Sequence, residues 1–266
     1  MTTELVARRT YLDSQRRTII ARAIAGSLAG LVPIPFLDDW ARAAVLGGGY
    51  RRIAATHGVD LDDDAITSLV HGKTPPPSIS QLAVSGIMYR IAGLAAKRML
   101  LALATVNRAR AASRTFTTMT LFDHYCAKLH TGPALDGPTA LALREEIARA
   151  IDQTPGALSF HPFRRGLSSA ARAALKAPLE LADLASGGAL RRMLTRRSSA
   201  SPVTDAEVVN DVEQALESQL ANQSGFLSRT VAAVEVQLSA DGNPFLDGAL
   251  DALDRRWRAR RVAGLP

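Results

Sequence analysis

Apolar residues recur along this chain with helical spacing. Leu5, Leu12, Ile19, Ile20, Ile24, Leu28 and Leu31 give residues 3–31 an amphipathic pattern, since positions three, four and seven apart share one helix face. Pro33 and Pro35 stop that helix. Each lacks an N–H, and the residue before each is driven to extended geometry. Asp38 or Asp39 can cap a second helix over about 39–56, which Gly58 ends. Asp60 to Asp64 open a short third helix with acids at its positive end. Gly72 and the run Pro75-Pro76-Pro77 break the chain. Ser78 or Ser80 then starts a long helix, with a bend expected near Ser113 to Thr120.

The second half reads the same way. A loop with Gly132, Pro133, Gly137 and Pro138 leads into a helix over 139–153, with Glu145 and Glu146 near its start. Thr154 to Pro162 is a turn-rich connector. Further helices are predicted over 164–197, 205–238 and 245–261, separated by a linker at 198–202 and a break at Gly242-Asn243-Pro244. No alternating strand pattern and no fixed-period repeat is visible. The expected fold class is therefore all-α, with no sheet. Two regions are expected, 1–131 and 138–266, with the boundary in the 131–138 loop and the second region packed on the first.

Composition narrows the class. With 266 residues, 47% apolar and 21% charged, the chain can bury a sizeable core and is not a disordered polymer. One cysteine excludes a disulfide framework and any multi-cysteine zinc site. The formal charge is +7, and arginine supplies most of it. Residues 74–135 are basic apart from Asp123, residues 199–252 are acidic apart from Arg229, and the C-terminal run is basic again. This layout fits an outside phosphate partner, or acidic segments docking on basic ones within the chain.

The membrane signal is divided. Met1 to Arg17 has arginines but no apolar run and cleavage site behind them, so no signal peptide is expected. Ala23 to Leu37 is uncharged but is broken by Pro33 and Pro35 and falls short of the roughly 20 residues a span needs. Ile79 to Val106 is long enough, at about 42 Å if helical, yet contains Arg90, Lys97 and Arg98. Mid-bilayer cations cost about 2.5–3.5 kcal/mol each. A hairpin that dips into a bilayer and a buried core helix both fit these stretches.

Candidate chemistry is sparse. His71-Gly72-Lys73-Thr74 looks like the end of a phosphate-binding loop, but Thr67 stands where the motif needs glycine. Asp123, Cys126 and His130 would share a helix face at i, i+3 and i+7, next to His124, without a second ligand pair elsewhere. No catalytic residue, cofactor or metal is assigned on these grounds, and a non-enzymatic role is expected. The run Arg255-Arg256-Trp257-Arg258-Ala259-Arg260-Arg261 places five cations around one tryptophan. It suits an anionic surface with Trp257 as an amphipathic anchor, or a helix C-terminus whose cations complement the dipole. Aromatic residues are only 5% of the chain, which argues against nucleic acid.

The most informative unit is residues 23–58. Gly26 and Gly30 lie one turn apart, and Ala43, Ala44, Gly47 and Gly48 offer a second small-residue face. Between them Pro33-Ile34-Pro35-Phe36 reverses the chain, followed by Asp38, Asp39 and Trp40. Two such helices can approach closely in a bilayer or in a soluble core, and Phe36 and Trp40 suit an interface. The unit resembles a bacterial helical domain of unknown function found C-terminal to Era-like GTPases and in related inner-membrane proteins. The pieces that carry the resemblance are Pro33-Ile34-Pro35-Phe36, the acid at 38 or 39, and His57-Gly58-Val59. It covers about residues 20–60, without the GTPase domain, and implies membrane proximity more than a chemistry. The expectation is a membrane-associated helical protein on the cytoplasmic side, at the inner membrane. Its partner would be an anionic membrane surface or a helical protein, self-association included. The alternative is a soluble helical interaction module.

Overall fold

The computed structural model describes residues 2–29, 37–74, 97–159, 161–164, 214, 218, 226–240 and 244–264. Seven helices and a two-stranded sheet are placed within them: α1 (Thr2–Ala29), α2 (Leu37–Thr56), β1 (Asp60–Leu61), α3 (Asp63–His71), α4 (Lys97–His124), β2 (Ala134–Leu135), α5 (Gly137–Asp152), α6 (Phe226–Ala240) and α7 (Pro244–Val262). A π-helical turn, Tyr125–Leu129, continues α4. The fold is thus mostly helical. Residues 75–96 and 165–213 lie outside this description, and with them most of the expected long apolar helix and the expected helix 164–197. The Thr115–Thr118 segment, locally strand-like in sequence, is helical within α4.

The helix ends follow local chemistry. The Asp62 carboxylate accepts the Ala65 N–H at 2.5 Å and caps α3. Gly72 ends that helix with φ of 67°, a backbone region that favours glycine. The His71-Gly72-Lys73-Thr74 segment is therefore a helix C-terminus, not a strand-to-helix phosphate loop. Asp136 caps α5 by accepting from Thr139 N at 2.9 Å. Helix α2 begins at Leu37, so Asp38 and Asp39 fall inside its first turn and do not cap it from outside.

Two expectations are corrected. A sheet is present: β1 and β2 pair in parallel, Asp60 opposite Ala134 and Leu61 opposite Leu135. Two residues per strand are too few to leave an alternating pattern in sequence. β2 lies in the 131–138 loop and so ties that loop to the segment after α2. The second correction concerns Glu145 and Glu146. They sit in the middle of α5 and not at its start, so they do not complement its N-terminal dipole.

One apolar core joins elements from both halves of the chain, from Leu12 to Trp257. Helix α1 packs against α2, α4 and α6; α3 packs against α2 and α5; α7 packs against α4 and α5. Ile19, Ile20 and Ile24 of α1 are fully buried with Ile53 of α2, Phe122 of α4 and Ile147 of α5. Tyr50 meets Phe122 edge-on, with ring centroids 4.9 Å apart. At Gly49 of α2 a Cβ would come within 2.6 Å of Met119 Cε of α4 and 2.8 Å of Arg22 Cδ of α1. Arg22 itself is buried and donates from Nη1 to the Val45 carbonyl of α2 at 3.0 Å.

Candidate functional site

The C-terminal end of α4 gathers the polar chemistry of the interior. Asp123 is fully buried, and its Oδ1 lies 2.6 Å from His57 Nε2, in the turn after α2. Burial pushes the Asp123 carboxyl above the ordinary carboxylate range, opposed by the hydrogen bond from His57. The next residue, His124, bridges two other helices. Its Nε2 lies 2.6 Å from Asp254 Oδ1 of α7, and its Nδ1 is hydrogen-bonded to the Tyr11 hydroxyl of α1. A carboxylate only accepts, so His124 donates from Nε2 to Asp254.

Past His124 the helix widens. The His130 N–H donates to the Tyr125 carbonyl five residues back, at 2.8 Å, which closes the π-turn. One extra residue per turn breaks the 3.6 period on which the i, i+3, i+7 face depends. Asp123, Cys126 and His130 consequently go different ways: Asp123 to His57, His130 to the Tyr125 hydroxyl at 3.2 Å, and Cys126 into the core. Among the described residues no group of three His, Cys, Asp or Glu could hold a metal ion. Burial and the Asp123 charge push the Cys126 thiol far up, which leaves it a poor nucleophile. Burial likewise raises the Tyr125 phenol and lowers His130.

Helix α7 docks on this end. Trp257 is buried and meets Tyr125 edge-on at 5.0 Å. It is a core residue and not an exposed interfacial anchor. The arginines around it divide into two groups. Arg256 Nε lies 2.6 Å from Glu146 Oε2, and Arg260 Nη1 lies 3.6 Å from Glu146 Oε1, a carboxylate that also holds Arg149 at 2.7 Å. Glu146 is buried, so this is an acidic-on-basic docking inside the chain. Arg255, Arg258 and Arg261 are exposed. Arg258 stands 3.9 Å from Asp254 with three-quarters of its side chain in solvent.

Beside the π-turn, a cleft of about 530 Å³ is lined by Tyr125, His130, Trp257, Arg261, Asp62 and Asp136 among others. The two aspartates already accept helix N–H groups, so the N-termini of α3 and α5 are satisfied without an outside anion.

The hairpin residues are distributed unevenly. Gly30, Pro33, Pro35 and Phe36 lie outside the described residues, and of Asp38, Asp39 and Trp40 only the backbone is described. Gly26 is not a forced contact: a Cβ there would sit 3.9 Å from Val45 Cγ1. Gly47 is buried, and a Cβ there would meet Ile66 Cγ2 at 3.3 Å. Gly48 is buried as well. No helix of the described residues is long and apolar enough to cross a membrane.

Sequence reasoning singled out residues 123–130 and 255–261 but missed their partners. Tyr11 carries no motif, His57 entered only through the resemblance, and Glu146 only as an acid near a helix start. Asp254 was legible only as the one acid beside an arginine run. In comparisons with known proteins, no family model, no curated protein and no solved structure matches this chain.

Proposed function

We propose that this is a non-enzymatic helical protein that docks peripherally on an anionic membrane surface through the outer side of α7. The observation that supports this reading is the division of the C-terminal arginines. Glu146 pairs with Arg256 and Arg260 inside the protein, while Arg255, Arg258 and Arg261 stay exposed on the same helix. Each cation near an anionic bilayer is worth about 1 kcal/mol, and the attraction decays within a Debye length. We leave α2 of the hairpin out of the membrane contact. Gly47 and Gly49 of its second helix already face Ile66, Met119 and Arg22, so insertion would strip core contacts.

The test is co-sedimentation with vesicles. Replacing Arg255, Arg258 and Arg261 by Gln should weaken binding to anionic vesicles by about 3 kcal/mol at low salt, roughly a hundredfold. Binding to neutral vesicles should not change. Equal binding of parent and variant to anionic vesicles would remove α7 from the reading. The second reading, a helical protein–protein interaction module, draws on α6. There Val236 is 64% exposed, and Ala232 and Ala233 are exposed beside it. Self-association lost on Val236→Lys, with vesicle binding absent, would favour that reading.

A further inference from the structure

A second cavity, of about 140 Å³, lies between α2, α3, α4 and α5. Its polar lining is Arg114, Thr115 and Thr118 from α4 and Arg144 from α5. Its apolar walls include Tyr50, Val70, Ile147 and Ile151. No Asp or Glu is among the described residues that line it. The two arginines that line this partly apolar space thus have no carboxylate beside them among its described lining residues.

Arg144 is held in place. Its Nη1 donates to the Leu69 carbonyl at 2.6 Å, near the C-terminus of α3. Its side chain lies over Gly72, where a Cβ would come within 3.1 Å of Nε. That contact occupies one of five N–H donors. Arg114 is exposed and forms no ion pair among the described residues.

We infer that this cavity binds a small monocarboxylate with a short alkyl chain or ring. Arg114 and Arg144 would take the carboxylate, since a guanidinium fork matches its two oxygens. Thr115 and Thr118 supply hydroxyl donors beside them. Tyr50, Val70, Ile147 and Ile151 would cover the apolar part. The volume sets the size: an apolar cavity of about 150 Å³ holds a benzene-sized group. A long acyl chain does not fit, and a bare inorganic anion leaves the apolar walls uncovered.

The site shares no residue with α7, so its test is independent of membrane docking. The full chain is titrated by calorimetry with hexanoate, hexanol, hexylamine and inorganic phosphate, together with Arg114→Gln and Ala148→Phe. Arg114 is exposed, so its replacement leaves the fold intact; Ala148 lines the cavity, and a phenyl ring there would occlude it. Hexanoate should bind in preference to the other three probes. Arg114→Gln should weaken it about tenfold, the scale of one hydrogen-bonded charged contact, and Ala148→Phe should abolish it. Three results would each overturn the assignment: no hexanoate binding at millimolar concentration, hexanol or phosphate binding as tightly as hexanoate, or hexanoate affinity unmoved by Arg114→Gln.

Discussion

Two glycines of the hairpin give predictions of opposite sign. In α2, a Cβ on Gly49 would lie 2.6 Å from Met119 Cε and 2.8 Å from Arg22 Cδ. Both are side-chain atoms that must shift to admit it. Met119 is fully buried, and Arg22 is fixed by its hydrogen bond to the Val45 carbonyl. In α1, a Cβ on Gly26 would meet Val45 Cγ1 at 3.9 Å, an ordinary contact. Replacing glycine by alanine in a helix raises propensity by up to about 1 kcal/mol at either position. Overpacking opposes this by about 1–3 kcal/mol, and only at Gly49. Gly26→Ala should therefore match or exceed the parent in stability, and Gly49→Ala should lie about 1–3 kcal/mol below Gly26→Ala. Urea unfolding followed by circular dichroism measures the gap at a common m value. In thermal melts it corresponds to roughly 2–12 °C for a chain of this size. Equal midpoints for the two variants would refute the close crossing of α1, α2 and α4 at Gly49.

Two further substitutions probe the buried charges. Glu146→Gln leaves three arginines around a neutral amide and should cost about 3 kcal/mol, the low end for breaking a buried pair; Arg149→Gln, whose side chain is half exposed, should cost under about 1 kcal/mol, and equal urea midpoints for the two variants would deny Glu146 its central place. The folded state raises the Asp123 carboxyl above its ordinary 3.8, so its contribution is fully present below that value and is lost as pH rises through the raised one. Asp123→Asn should remove this loss, and its urea midpoint should gain on the parent between pH 4 and neutrality; parallel pH profiles would contradict the assignment.

Much of the helix layout was legible because helix punctuation is local. Gly58, Gly72 and the acids that open α3 act on neighbours within a few residues, and the sequence displays them directly. What was not legible depends on residues distant in the chain. The pairing of β1 with β2 joins residues about seventy positions apart through two residues each, below any pattern threshold. The π-turn leaves no mark in composition, yet it disperses the Asp123, Cys126 and His130 face that a regular helix would make. Trp257 read as an exposed anchor because its arginine neighbours are polar, but a helix position takes its burial from the face it occupies and not from the residues beside it in sequence.

The same geometry explains how one helix end reaches three neighbours. Successive residues of an α-helix point about 100° apart. Asp123 and His124 must therefore address different elements, and they do: His57 after α2, and Tyr11 of α1 with Asp254 of α7. On α7 the same angular spacing fixes the rotation of the helix. Arg256 and Arg260 are one turn apart and reach Glu146 together, while Arg255 and Arg258 fall on another side. A slip of one residue in one direction would bring Arg255 and Ala259 to Glu146, losing one guanidinium. A slip in the other would bring Trp257 and Arg261, placing an indole against a buried carboxylate and lifting the ring from Tyr125. A buried charge left short of partners costs several kcal/mol, so the Glu146 contact specifies the rotation of α7. The outward arginines are then a consequence of that internal contact, and any anionic surface that binds them reads a face whose orientation the core has already set.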